Sequence, residues 1–258
     1  MNYWVKRNLF TQIELSNKAT KDIEEQLAKY YARVSKRLVR DFELTYEKLL
    51  KAVDAGKEPT PADLYKLDSY WKMLAEAQAE LNKLGNYECD LFIKRFTDAY
   101  INIYQSLAIG TDDAFATIDR EAAEQIINQV WCADGKSWSS RIWKNTDRLR
   151  EVLNDKLIEC VITGKKSTEL KKILMEEFQA SYRQANSIAR TEIAHIQTQA
   201  ARDRYIDAGI EQVEVWADKD ERRCDVCGKL HRKKFPVWGA MPVPAHPNCR
   251  CCVIPVIK

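Results

Sequence analysis

Apolar residues recur every three or four positions along one long stretch near the start of the chain. They are Ile23, Leu27, Tyr30, Val34, Leu38, Phe42, Tyr46, Leu49 and Val53. A repeat of 3.6 residues puts all of them on one face of an α-helix, whereas a strand would alternate at every second residue. We therefore predict one amphipathic helix over residues 18–55, ending near Gly56. Such a helix needs partners that cover its apolar face, so packed helices must form the body of the fold.

The same spacing continues through most of the remaining chain and predicts further helices. Thr60 followed by Pro61 supplies an N-cap and a proline at the first helical position, and this second helix should end near Gly85. Additional helices are expected over residues 87–107, 111–130, 137–164, 167–178 and 185–209.

The pattern changes after Gly209, where glycine and proline become more frequent. Val213–Trp216 alternates apolar and polar residues and Cys251–Ile257 is a short apolar run, and both patterns are typical of strands. The predicted division is a helical N-terminal region at residues 1–132 and a second domain at 133–258. Within that second domain, residues 137–208 should be helical and residues 209–258 rich in β-structure.

Five of the eight cysteines crowd into this C-terminal part. Cys224 and Cys227 share one tight turn, and further donors return after a loop. The candidate metal ligands are Cys224, Cys227, His246, Cys249 and Cys251. Zinc takes four thiolate or imidazole ligands in a closed tetrahedral site, and paired cysteines in a cytosolic chain are more typical of zinc than of disulfides. The fold class that we predict is therefore α+β, a long helical N-terminal body followed by a small β-rich C-terminal domain stapled by structural zinc.

The five candidates exceed the four places of a tetrahedral zinc site. We favour Cys224, Cys227 and His246 with either Cys251 or Cys249 as the fourth ligand. Cys252 should face the opposite side of an alternating strand. Two other interpretations remain for the same cysteines, namely buried free thiols and a disulfide that forms after release from the cell.

Charge is distributed unevenly along the chain. The net charge is only +3, from 41 Lys and Arg against 38 Asp and Glu, yet residues 219–258 carry nine basic residues and three acidic ones. Candidate contacts with DNA or with a partner protein are Arg222, Arg223, Lys229, Arg232, Lys233, Lys234 and Arg250. Such charges also occur on surfaces that are merely solvated.

The sequence has no apolar run of about 18 residues and no secretion signal at its start, so we expect no membrane contact and synthesis in the cytoplasm.

Several short motifs lie between about Ala185 and Pro255. They are Ala189-Arg190-Thr191-Glu192 in a predicted helix, a strand reaching Trp216, Asp220 ahead of Cys224 and Cys227, and His246-Pro247-Asn248-Cys249-Arg250-Cys251. Together these motifs resemble the phage Mu protein F-like family. The family-motif residues outside the metal cluster are Arg190, Glu192, Trp216 and Asp220. One departure is His231-Arg232, since the family usually has an acidic residue and a glycine at these positions.

The resemblance implies that residues 133–258 form a Mu F-like head morphogenesis domain. Members of the family are minor capsid or head morphogenesis proteins of tailed bacteriophages and prophages, present in few copies and associated with the portal vertex of the procapsid. The implied partners are the portal protein, other head or scaffold proteins and, in some relatives, double-stranded DNA during packaging or ejection. The implied location is the host cytoplasm during assembly and then the virion head or procapsid interior.

The same residues are compatible with two other functional classes. The first is a zinc-dependent nucleic-acid-binding protein that contacts phosphates through the basic residues around the cysteines. The second is a phage-associated enzyme or toxin, since Arg190 and Glu192 are compatible with a transferase acting on a nicotinamide dinucleotide. No glycine-rich phosphate-binding loop accompanies those two residues, and a helix-to-helix salt bridge is the simpler explanation.

The remaining titratable groups do not suggest a catalytic site. A catalytic zinc needs an open coordination position and a nearby general base, whereas here thiolates are abundant. Of the two histidines outside the cluster, His195 is interpreted as a structural residue within a helix and His231 as part of a solvated basic turn. We therefore expect no enzymatic activity and assign no catalytic residues.

Overall fold

The computed structural model describes residues 2–53, 57–110, 116–217, 221 and 223–257. The helices are α1 (Tyr3–Ala52), α2 (Pro61–Tyr65), α3 (Asp68–Ser106), α4 (Arg120–Ile127), α5 (Trp138–Ile162), α6 (Ser167–Asp207) and α7 (Asp225–Leu230). The strands are β1 (Gln212–Trp216), β2 (Lys234–Pro236) and β3 (Cys252–Pro255). The prediction of a helical body followed by a C-terminal part that contains strands is confirmed, although the strands are short.

Helix α1 begins at Tyr3, well before the predicted start at residue 18. The apolar pattern is weaker there because Asn8 and Gln12 occupy positions on the buried face. The Asn8 amide bonds to both the carbonyl oxygen and the N–H of Ala108, at 2.9 and 3.2 Å. The Gln12 amide donates to the Tyr205 hydroxyl and to the Val253 carbonyl. Asn8 and Gln12 are therefore core residues. Their hydrogen-bond partners are far away in the sequence, so the local spacing of apolar residues could not predict their burial.

Two predicted breaks between helices are absent. Thr60 does form a capping box with Asp63, but α2 ends at Tyr65 and α3 then runs without interruption through Gly85. A Cβ at position 85 would lie only 2.7 Å from Cζ3 of Trp143, so this glycine permits a close helix contact and does not end a helix. The predicted break between residues 178 and 185 is also absent, since α6 is continuous and Ser181 in that interval is buried.

The chain divides into two compact units, each built from separated segments. Unit 1 comprises residues 1–24, 90–138 and 186–258, and unit 2 comprises residues 25–89 and 139–185. Unit 1 therefore combines segments from both sides of the predicted boundary at residue 132. That boundary is a division by sequence pattern, and it stays a prediction.

Unit 2 packs segments of four long helices, together with the short α2, around a largely apolar core. Fully buried core side chains include Leu27, Leu38, Phe42, Leu81, Leu84, Leu149 and Leu153. A buried polar cluster, consisting of Tyr31, Glu88, Asn145 and Ser181, interrupts this core. The Asn145 amide donates to the Ser181 carbonyl and hydroxyl, both at 3.0 Å, and the Tyr31 and Ser181 hydroxyls lie 3.1 Å apart. Each of α1, α3, α5 and α6 supplies one member.

Unit 1 contains the three-stranded antiparallel sheet, in the order β2-β1-β3. Val213 pairs with Phe235 on one side of β1, and Val215 pairs with Val253 on the other. Cys252 and Ile254 of β3 form an apolar cluster with Val5 and Leu9 of α1. Cys252 therefore faces this apolar cluster, as its position in an alternating strand predicted.

Candidate metal centre

The first two candidate ligands lie at the start of α7. Cys224 is the N-cap of this helix, with extended backbone angles, and its Sγ accepts a hydrogen bond from the Cys227 N–H at 3.4 Å. The turn brings both sulfurs to one side, with Cys224 exposed and Cys227 buried. A backbone N–H aimed at sulfur stabilises the thiolate, which is the form that binds metal.

His246 completes the first half of the cluster. Its Nε2 lies 3.2 Å from the Sγ of Cys224 and 3.2 Å from the Sγ of Cys227. The ring's other nitrogen, Nδ1, lies 2.8 Å from the Pro247 carbonyl oxygen, which can only accept a hydrogen bond. A proton on Nδ1 leaves the Nε2 lone pair directed at the two sulfurs, and such support of the second ring nitrogen is typical of metal-binding histidines.

Cys249 and Cys251 supply the second half. Cys227, Cys249 and Cys251 form one group of close donors, and Cys224, Cys227 and His246 form another, so Cys227 belongs to both. The Sγ atoms of Cys227 and Cys249 are 3.7 Å apart. Two thiolates on one tetrahedral zinc lie roughly 3.8 Å apart, given zinc–sulfur bonds of about 2.3 Å. The donors therefore fit a zinc-sized cation, and the structure brings together all five residues that the sequence singled out.

The electrostatics of the cluster favour negative charge on two sulfurs. The backbone N–H of Cys227 lowers the pKa of Cys224, and the thiol of Cys251 donates to Cys249 and lowers its pKa to about 5. The same donation raises the pKa of Cys251, while burial raises that of Cys227 to about 12. A bound divalent cation would lower the pKa values of these thiols as well, because metal binding releases their protons.

The loop that carries the last three donors is attached to α6. Asn248 adopts a left-handed backbone conformation, with φ of 59°, which asparagine tolerates better than most residues. Its N–H donates to the Thr191 hydroxyl at 3.0 Å, and its side-chain amide lies 3.0 Å from the Ser187 hydroxyl. The Arg-Thr-Glu motif and the His-Pro-Asn-Cys-Arg-Cys motif are therefore in direct contact. Ser187 was not among the predicted site residues, since a lone serine in a helix carries no distinguishing pattern.

The family-motif residues of α6 have structural partners. The Nε of Arg190 donates to Oε1 of Glu24 on α1 at 2.5 Å, a salt bridge between helices of the predicted kind. Glu192 is buried, and its Oε2 accepts a hydrogen bond from the indole N–H of Trp131 at 2.9 Å. His195 stacks on the same indole, and burial lowers its pKa to about 4. This histidine is therefore neutral at physiological pH, as expected of a structural residue.

Trp216 lies at the end of β1 and contacts the turn that departs from the family pattern. The His231 ring packs edge-on against it at 5.0 Å, and the Arg232 guanidinium lies 5.5 Å from its ring centre. His231 Nδ1 accepts a hydrogen bond from the N–H of Ala217, the residue that follows β1. The predicted solvated turn is therefore wrong for the His231 ring, which is held in place by this bond. Arg232 has φ of 63°, which explains the preference for glycine there.

All described members of the predicted set of basic contact residues lie at the surface. Arg223, Lys229, Arg232, Lys233, Lys234 and Arg250 are exposed. Arg222 and the motif residue Asp220 lie outside the described residues. Within the described part of the chain, no helix has the length and apolar character needed to cross a membrane.

Comparison with known proteins identifies the segment that contains this cluster. A protein named "NAD(+)--arginine ADP-ribosyltransferase EFV", from Enterococcus faecalis (strain ATCC 700802 / V583), is 30% identical over 143 residues, covering 48% of this chain and 29% of that protein. The chain therefore spans less than a third of this relative's length. The search of solved structures found no significant match. Residues 151–254 match the family described as Phage Mu protein F like protein, so the predicted resemblance is confirmed over that segment.

Proposed function

We propose that this protein is a phage head morphogenesis protein, a minor capsid component that works by assembly at the portal vertex. The observation that carries this proposal is the match of residues 151–254 to the Mu F-like family. The contact between the two motifs supports it further, because Asn248 attaches the metal-cluster loop to Thr191 and Ser187 of α6.

A structural zinc ion is part of the proposal. Five donors around Cys227 supply more than the four ligands of a closed site, and thiolate-rich closed sites serve folding rather than catalysis. Elemental analysis of protein purified under reducing conditions should find about one zinc per chain. Well under half an equivalent, together with a thermal melt that a chelator leaves unchanged, would contradict the zinc assignment.

The proposal includes the absence of enzymatic turnover. The salt bridge of Arg190 with Glu24 and the bond of Glu192 with Trp131 give both motif residues structural roles. Since the relative from Enterococcus faecalis is named as an NAD(+)–arginine ADP-ribosyltransferase, the same preparation should be assayed for transfer of ADP-ribose to an arginine analogue. We expect none above the rate of heat-denatured protein.

The assembly role is tested by co-expression with the portal protein encoded by the same phage, followed by size-exclusion chromatography. Co-migration of the two proteins is the expected result, and an unrelated portal protein serves as the control. In parallel, a phage carrying Arg190→Ala and Glu192→Ala is scored for particle formation and infectivity. The structural interpretation fails if the portal never co-migrates and the double variant builds normal particles but loses a measurable chemical activity.

Contact with double-stranded DNA is a second candidate function, which the exposed basic side chains around the cluster favour. Neutralised phosphates give affinity that falls steeply with salt, without sequence preference. Replacing Lys229, Lys233 and Lys234 with glutamate should weaken duplex binding and flatten its salt dependence. Replacing Lys29, Lys36 and Lys48 of α1, which are equally exposed, changes the net charge by the same amount and is the matched control. Equal effects of both triple variants would indicate only a general charge effect.

A further inference from the structure

A cavity of about 530 Å³ lies in unit 1 between α1, α6 and the loop that follows His246. Its walls include Ile13, Asn17 and Thr20 of α1, Arg190 and Gln197 of α6, and Arg250 of the loop. Ligand pockets in proteins have volumes of roughly 300 to 1,000 Å³, so this one is large enough for a small organic molecule. Cys249, one of the five metal-ligand candidates, also lines this cavity, and the other four do not.

The Lys, Arg, Asp and Glu side chains that line the cavity are all basic. Two arginines, Arg190 and Arg250, line it, and no carboxylate is found among the described lining residues. Glu24 bonds to the Nε of Arg190. The two Nη groups of that guanidinium have no partner among the described residues. A guanidinium can present two parallel N–H groups to a phosphate or carboxylate, so the cavity is suited to an anion.

Polar side chains without protein partners line the same walls. Gln197 is only 5% exposed, yet its amide makes no hydrogen bond to any described residue. Asn17 and Thr20, which face the cavity from α1, have no side-chain hydrogen bonds to the described part of the chain either. Buried polar groups are nearly always hydrogen-bonded, so water or a ligand must complete the hydrogen bonds of Gln197. Asn17 is exposed and Thr20 is half-buried, so solvent can reach both when the cavity is empty. These amide and hydroxyl groups offer both donors and acceptors to a bound molecule.

The remaining wall is apolar. Ile13, Ile193 and Ala194 form it, and such a surface suits a flat ring rather than a bare ion. The volume is also several times that of inorganic phosphate. We propose that the cavity binds a nucleoside phosphate, with the phosphate at Arg190 and Arg250 and the base against the apolar wall. This inference goes beyond the assembly role and does not depend on it. Its ligand is either a free nucleotide or the terminal nucleotide of a DNA strand.

The test is calorimetric titration of the purified protein, kept under reducing conditions, with defined probes. The probes are AMP, adenosine, inorganic phosphate and one oligonucleotide with and without a 5′-phosphate. We expect AMP or the 5′-phosphorylated oligonucleotide to bind, and adenosine and inorganic phosphate to bind at least about tenfold more weakly. Preference for AMP identifies a free nucleotide as the ligand, and preference for the phosphorylated oligonucleotide identifies a DNA end.

Asn17→Asp adds a negative charge at an exposed position of the cavity wall, so it should not disturb folding. It should weaken binding of the preferred probe by about tenfold. Gln105→Glu adds the same charge to α3 at an exposed position outside the cavity and should change the affinity less than about twofold. Absence of binding by every phosphate probe overturns the proposal. Equal losses in both variants, or binding of inorganic phosphate or adenosine as tight as that of the nucleotides, would overturn it too.

Discussion

The metal cluster of unit 1 and the polar cluster of unit 2 both gather polar groups in the interior, but they respond oppositely to protons. In unit 1 the thiols and His246 converge so that loss of protons creates ligands for a cation. In unit 2 burial raises the pKa of Glu88 to about 8, and a weak interaction with the Tyr31 hydroxyl offsets only part of this. The comparison shows that a buried charge is stable where a counter-charge can be bound, and is otherwise neutralised by protonation.

Loss of the shared ligand should have the largest effect. Cys227 belongs to both donor groups, so Cys227→Ser should remove the metal and destabilise residues 209–257 by on the order of 5 kcal/mol, since structural zinc contributes roughly 10 kcal/mol or more. Hydrogen exchange of this segment and zinc content are the measurements. Cys252→Ser is the matched control, because this neighbouring thiol is buried against Val5 and Leu9, and it should cost only about 1 to 2 kcal/mol. Equal losses would contradict the assignment of the cluster.

The pH dependence of unit 2 should follow Glu88. Its pKa in the folded protein, about 8, exceeds the ordinary value of 4.5, so the folded state holds the proton over that interval and stability falls as pH rises from 4.5 to 8. The unfolding free energy of the unmodified protein should therefore fall by on the order of 3 kcal/mol between pH 5 and pH 8. Glu88→Gln should remove this fall, because glutamine does not titrate. Denaturant titrations at the two pH values test this. Glu151→Gln, an exposed change in the same unit, should leave the slope unchanged.

The next-largest loss of stability should come from the close helix packing at Gly85. Gly85→Ala places a Cβ against the Trp143 ring and should destabilise unit 2 by about 2 kcal/mol, despite the higher helix propensity of alanine. Thermal unfolding is the measurement. Adding Trp143→Leu should recover part of the loss, because it removes the contacting ring. Gly110→Ala in unit 1 meets no atom within 4 Å and should change stability by less than about 0.5 kcal/mol.

The smallest expected effect concerns the turn beside the metal cluster. Arg232 has φ of 63°, which costs a residue with a side chain about 1 kcal/mol relative to glycine. Arg232→Gly and Arg232→Ala both lose the contact with Trp216, so their difference isolates the backbone. The glycine variant should be more stable by about 1 kcal/mol in denaturant titration. If the alanine variant is equally stable, the turn relaxes and carries no strain.

Sequence alone determined the parts of this protein that depend on short spacings. The apolar repeat from Ile23 to Val53 predicted most of α1, because helical periodicity is a local property. The turn at Cys224 and the His246 loop supplied all five candidate ligands that the structure groups together, since these residues fall in two short segments of the chain. The alternation in Val213–Trp216 and the apolar run of β3 likewise placed two strands and the direction of Cys252.

Only the tertiary structure decided features whose partners are far apart in the chain. Asn8 belongs to α1 because it bonds to Ala108, and Gly85 continues α3 because Trp143 packs against it. The polar cluster and the cavity likewise combine residues from different helices and, for the cavity, from the His246 loop. In the sequence, a lone polar residue resembles a surface position and a lone glycine resembles a helix end. Only contacts with distant residues show that the polar group is hydrogen-bonded in the interior, or that the glycine permits two helices to pack closely.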